Sequence, residues 1–306
     1  MILDCKSLRF KVVDWLLIAL AVLPLVGIIV LKILFTPPTE GISISGALVY
    51  FTIPMPLQDL PITEAQINSA AVVLFILFFC LFLTHGIAVR PNTKRQLVAE
   101  WIVETCRNLV QDNMGPFFSG FAPFIAAIMA ISGVSSLLSL LGLFPPTSDL
   151  NIVGGWAILV FILITYYKLK GGLWSYVKGF LEPIPILLPL NILGEIATPV
   201  SMTFRHYGNV LSGSVIAVLI GAALTGASNL LLGWLPGFLG EIPLLRIGIP
   251  AVLSLYFDIF SGCLQAFIFA MLTMLNVSNG FSEEDYQRRL QKKAEKQKKK
   301  EIKKSK

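Results

Sequence analysis

Residues 185–227 read PILLPLNILGEIATPVSMTFRHYGNVLSGSVIAVLIGAALTGA. The run is apolar over more length than an upright helix needs, since a hydrocarbon core of ~30 Å takes about 20 residues. Within it stand one acid, Glu195, and one cation, Arg205, the latter flanked by Val200, Met202, Phe204 and Val210. A mid-membrane arginine costs at least ~2.5 kcal/mol on insertion scales, so it faces a cavity or a partner and marks an ion path. The competing reading is an arginine that snorkels to the surface or pairs structurally with an acid. Its distance from both ends of the run disfavours snorkelling.

The rest of the chain has the same character. Of 306 residues, 55% are hydrophobic and 14% charged, against about 25% charged in an average soluble domain. A soluble fold of this length lacks the polar cover for so much apolar surface. Further runs long enough to cross are Trp15–Phe35, with Pro24 as a kink, Ala70–Val89, Phe117–Phe144, Asn151–Tyr167 and Ile249–Val277. Trp15–Phe35 is too long for a signal-peptide core and has no small-residue cleavage site after it, so it is expected to remain a span. The fold class is all-α integral membrane, with about six transmembrane helices, the last two long and tilted.

Basic residues set the orientation. Lys6, Arg9 and Lys11 precede the first span; Arg90, Lys94, Arg95 and Arg107 follow the second; Lys168, Lys170 and Lys178 follow the fourth. The tail from Glu283 to Lys306 adds eleven Lys and Arg against five Asp and Glu. Residues 36–68 and 145–150 hold none. Both termini are therefore predicted on the cytoplasmic side, and residues 185–246 cross once. The net charge of +6 equals that of the tail. This is no nucleic-acid signature but a solvated end, or one drawn to anionic lipid headgroups or another subunit.

Other stretches are not spans. Gln96–Met114 has apolar residues at helical spacing, which predicts an interfacial amphipathic helix on the cytoplasmic side. Ala47–Met55 is apolar, short and Pro-flanked, and is expected on the outer surface. The organisation is then an extra N-terminal transmembrane helix (1–35), an outer-face segment (36–69), an ion-translocating core (70–279) and a basic cytoplasmic tail (280–306). Cys5, Cys80, Cys106 and Cys263 form no CxxC pair, and with His85 and His206 as the two histidines no metal or cofactor site is expected.

The polar residues inside the spans are patterned. Ser201, Arg205, Asn209 and Ser212 recur at intervals of four, four and three, on one helical face. The last span has a matching stripe in Ser254, Asp258, Ser261, Gln265 and Asn276. A single stripe serves as helix–helix glue; two, one with a cation and one with an acid, point to facing walls of a polar passage. Gly208, Gly213, Ala217 and Gly262 beside them allow close approach.

At these residues the chain resembles subunit a of F-type ATP synthase, bacterial type. The resemblance rests on Arg205-His206-Tyr207-Gly208-Asn209 followed by Val210-Leu211-Ser212-Gly213, on Glu195 to Ser201 with Pro199, and on Leu264-Gln265-Ala266-Phe267-Ile268-Phe269. Val98–Gly115 and Asp149-Leu150-Asn151 resemble the family's amphipathic helix and its Asp-hydrophobic-Asn turn. It covers roughly Ile67 to Asn279. The chain departs from it at Ser214, where many relatives place glutamate, at Asp258, where some place histidine, and at Thr198, where lysine is common.

The resemblance implies a stator without a catalytic site or cofactor, whose partners are a c-subunit ring, peripheral-stalk b subunits, the rest of the ATP synthase and membrane lipid. Two aqueous half-channels pass a proton, the default ion, to and from a ring carboxylate that Arg205 keeps ionised. Helix direction places Glu195 in the cytoplasmic half-channel and Asp258 with Asn209 in the outer one. Gln265 is expected near Arg205, hydrogen-bonding and positioning it. Ser201, Ser212, Ser214, Ser261 and His206 are secondary candidates, His206 lying one residue off the arginine face. Structural alternatives stay open: helix–helix hydrogen bonds for Asn209 and Gln265, loop or headgroup contacts for Glu195 and Asp258. A stand-alone secondary transporter or anion channel is the rival class.

Overall fold

The computed structural model describes residues 2–35, 46–56, 58–89, 93–181, 184–232, 248, 252–253, 255–280 and 291. Expectations for the basic tail, Arg90 and Ser254 fall outside them. The chain forms α1 (Ile2–Phe35), β1 (Val49–Ile53), β2 (Leu60–Thr63), α2 (Glu64–Thr84), α3 (Lys94–Met114), α4 (Ala122–Leu137), α5 (Leu150–Gly171), α6 (Leu173–Leu181), α7 (Leu188–Leu232) and α8 (Gly262–Asn279). A π-helical segment, Leu255–Ser261, leads into α8.

Among the described residues six helical segments are long and apolar enough to cross a membrane: Lys11–Phe35, Glu64–Thr84, Pro116–Leu141, Leu150–Lys170, Pro185–Leu231 and Leu255–Asn279. Their apolar side chains point outward, with Ile33, Ile186 and Leu230 all more than 70% exposed. That is the reverse of a soluble core and the arrangement a hydrocarbon solvent favours. α7 has 45 residues; at ~1.5 Å per residue it exceeds the ~30 Å core more than twofold, so it cannot stand upright within it.

The chain divides into two compact units. The first draws on Met1–Trp101, Ala127–Val153 and Thr203–Ile268, the second on Ile102–Ala126, Gly154–Met202 and Phe269–Lys306. In the first, Ile28 of α1, Ala71 and Val72 of α2, Leu138 and Leu143 form a buried apolar cluster. Polar groups fasten α1 to α2 at both ends, which fixes the two as antiparallel. At one end Lys32 meets Glu64 at 3.1 Å and donates to the Gly142 carbonyl at 2.7 Å. Glu64 also accepts from the Phe144 amide, and Asn68 donates to the Phe144 carbonyl. Gly142 has φ +71°, a left-handed turn that suits glycine. At the other end Asp14 takes Arg95 at 2.7 Å and His85 at 2.9 Å.

The second unit is held by aromatic packing. Phe118 and Phe121 sit against Tyr167, at ring separations of 5.2 and 6.1 Å. Ile125, Val160 and Ile164 are buried among its helices, and Lys170 lies over the rings of Phe117 and Tyr167.

Three local features depart from the sequence expectations. Ala47–Met55 is not a lone surface segment, because Val49–Ile53 pairs antiparallel with Leu60–Thr63. α2 starts at Glu64, ahead of the expected Ala70, because partners satisfy Glu64 and Asn68. The connection into the long span, which Gly171, Gly172, Pro183, Pro185 and Pro189 punctuate in the sequence, contains a helix, α6.

Candidate functional site

α7 has an inner and an outer side. His206 is fully buried, and Met202, Thr203 and Gly213 are buried as well. Ser201, Phe204, Arg205, Ser212 and Ser214 are exposed. The hydroxyls of Ser212 and Ser214 donate to their own helix, to the Asn209 and Leu211 carbonyls. Among the described residues Arg205 forms no ion pair, and no hydrogen bond joins it to Gln265. Gln265 is 6% exposed, buried in its unit, whereas Arg205 is exposed.

The inner side meets the last span closely. Asn209 Nδ2 donates to Ser261 Oγ at 2.7 Å, and Ser261 Oγ donates to Asn209 Oδ1 at 3.0 Å. A Cβ on Gly213 would lie 3.0 Å from the Phe257 ring, and one on Gly262 would lie 2.8 Å from Ser136 Cβ. The Gly262 contact needs glycine, and at Gly213 a side chain would require the Phe257 ring to give by a few tenths of an ångström. Asp258 is half-buried in the π-helical turn, and Ser139 lies beside its carboxyl.

The expected stripe of the last span is therefore divided. It assumed an α-helical repeat of 3.6 residues, whereas π winding bonds i to i+5 and displaces each side chain around the axis. Ser261 meets Asn209, Asp258 faces Ser139, Gln265 is buried, and Asn276 lines a cavity in the other unit.

A row of serines on α4 went unread in the sequence. Ser132 Oγ lies 3.1 Å from His206 Nε2. Ser136 abuts Gly262, and Ser139, just past the end of α4, faces Asp258. Positions 132, 136 and 139 share the four-and-three spacing of 205, 209 and 212, and that spacing was the available signal.

Glu195 belongs to the second unit. Its Oε1 pairs with Lys168 of α5, and its Oε2 accepts from the Tyr176 hydroxyl at 2.6 Å. Burial, and then the bond to Glu195, push the Tyr176 phenol up to about 12. Beside the carboxylate opens a cavity of about 280 Å³, lined by Asn191, Thr198, Asn276 and Asn279 together with Lys168 and Glu195. Lys168 figured in the sequence only as a marker of orientation, because its partner lies 27 positions away.

Comparison with known proteins gives a consistent result. The family described as ATP synthase A chain matches residues 67–278. ATP synthase subunit a of Bacillus pumilus is 33% identical over 226 residues, 69% of this chain and 88% of that protein. Subunit a of Bacillus subtilis is 31% identical, over 71% and 90% respectively. The Propionigenium modestum protein named ATP synthase subunit a, sodium ion specific, is 27% identical over 305 residues, 88% of this chain and 97% of its own.

Proposed function

Because the chain belongs to the ATP synthase A chain family, and so is an ion-translocating subunit of an ATP synthase membrane sector, we propose how it moves the ion. It is a non-catalytic stator that offers two half-channels to a rotating c ring, with b subunits of the peripheral stalk as further partners. Its place is the bacterial plasma membrane, with both termini in the cytoplasm. Residues 64–279 carry the ion path, 1–35 add a span, 36–63 lie outside, and 280–306 form a cytoplasmic tail, the expected boundary at 69 moving to the start of α2.

The observation that supports this reading is the exposure of Arg205 in an apolar span without an ion pair among the described residues. A charge so placed calls for a counter-charge, and a ring carboxylate passing the outer side of α7 supplies one. Arg205 then holds the carboxylate ionised between the half-channels and blocks direct leak. Asp258 and Asn209 serve the outer half-channel and Glu195 the cytoplasmic one. Gln265 and Ser261 keep the last span in register, and Ser201, Ser212, Ser214 and His206 border the path. The membrane potential contributes ~2.3 kcal/mol per charge per 100 mV.

The proton is the proposed ion. The sodium-specific relative, which matches along nearly its whole length, keeps Na+ as the second reading. The test is to purify the chain with its complex, reconstitute it, and measure ATP-driven pumping with and without Na+. Isolation of an active transporter free of any ring would overturn the reading.

A further inference from the structure

Glu195 is gripped from two helices, and the grip leaves little freedom. Lys168 approaches Oε1 from the last turn of α5, and Tyr176 of α6 approaches Oε2 at 2.6 Å. The stem of Lys168 is itself seated, for a Cβ on Gly280 would lie 3.0 Å from its Cγ. Lys168 and Glu195 are 29% and 18% exposed at the side chain, so the pair sits at a rim rather than in open solvent. The adjoining cavity of about 280 Å³ has room for several waters at ~30 Å³ each. The polar groups it presents beyond the pair are amides and a hydroxyl, Asn191 and Thr198 from α7 and Asn276 and Asn279 from α8, with Phe161 and Ile164 as its apolar wall. These hydrogen-bond water but carry no charge. Among the described residues the charged or titratable groups facing the carboxylate are thus Lys168 from α5 and Tyr176 from α6.

We infer that Lys168 and Tyr176 are positioning residues for ion transfer, a clasp that aims the Glu195 carboxylate into this cavity. The inference rests on the reading of Glu195 as a half-channel residue and assigns the regulation of that group. The carboxylate in the clasp has each oxygen engaged once and keeps further lone pairs for cavity water. Lys168 holds Oε1 from α5. Tyr176, whose phenol stays protonated across the working range, is a constant donor. A proton passing through the cavity therefore meets a carboxylate held in one orientation.

The experiment uses the assembled ATP synthase in inverted vesicles, following passive proton flux and its pH profile. Lys168→Gln is expected to slow flux about tenfold, through misplacement of the carboxylate. Tyr176→Phe is expected to slow it about threefold, and Lys168→Arg to retain most of the flux with the normal profile. Lys168→Gln combined with Glu195→Gln should be no slower than Glu195→Gln alone. If Glu195→Gln leaves flux unchanged, both the half-channel reading of Glu195 and the clasp fall. If Glu195→Gln slows flux while Lys168→Gln and Tyr176→Phe keep normal rates and profiles, the clasp alone is overturned. Should Lys168→Gln not assemble, Tyr176→Phe, which removes one oxygen, decides by the same criteria.

Discussion

Asn209 and Ser261 exchange two hydrogen bonds, at 2.7 and 3.0 Å, joining α7 to the π-helical turn before α8. Polar pairs between membrane helices couple by about 0.6 kcal/mol on average and up to ~1.7. A double-mutant cycle of Asn209→Ala and Ser261→Ala, read by unfolding in detergent, should give a coupling in that range. Strictly additive losses would separate the two residues.

Arg205 carries the functional reading. Arg205→Ala is expected to abolish coupled ATP synthesis in an assembled complex while passive proton leak persists or rises. Arg205→Lys should also fail, since an ammonium lacks the planar donor fork and loses its proton when desolvated. Synthesis and leak in vesicles, with a check of assembly, are the measurements. Near-normal synthesis by the alanine variant contradicts the proposal.

Asp258 lies half-buried beside Ser139. If it serves the outer half-channel, Asp258→Asn slows ATP-driven pumping several-fold without loss of assembly. Unchanged pumping would make it a structural group of the π-helical turn.

Glu64 is 2% exposed and depends on Lys32 for its counter-charge. Removing one partner of a buried pair costs ~3–5 kcal/mol, and Lys32→Ala should fall at or below the lower end because the lysine is partly exposed. Adding Glu64→Gln to Lys32→Ala should recover part of the loss, as it removes the stranded charge. Thermal unfolding in detergent checks both.

Cys106 lies on α3, and burial raises its thiol above the ordinary range. With α3 on the cytoplasmic side, a membrane-impermeant maleimide added to intact cells should label neither Cys106 nor Cys5. In inverted vesicles Cys106 should react slowly at neutral pH and faster as pH rises, since the thiolate is the nucleophile. Ready labelling from outside would reject the proposed orientation.

The spans were legible because a hydrocarbon solvent makes a local demand. Each crossing must supply enough consecutive apolar residues, and that is written in the chain regardless of neighbours. The peculiarity of Arg205 was legible for the same reason, as a charge is conspicuous in such a run. The hairpin of Val49–Ile53 with Leu60–Thr63 was not, since β pairing depends on a second strand. The early start of α2 was not either, because Glu64 is tolerable only where Lys32 and the Phe144 amide meet it.

The sequence by itself determined the membrane class, the six crossings and the residues with chemistry to offer, all properties of short stretches read against a bilayer. Tertiary structure alone decided which of those residues meet. It paired Asn209 with Ser261, set the α4 serines against His206 and Asp258, buried Gln265 away from exposed Arg205, and gave Glu195 to Lys168 and Tyr176. The physical reason is that helical spacing assigns a face to a side chain, whereas a partner is assigned by how helices pack, and a single π-helical turn is enough to rotate one face away from another.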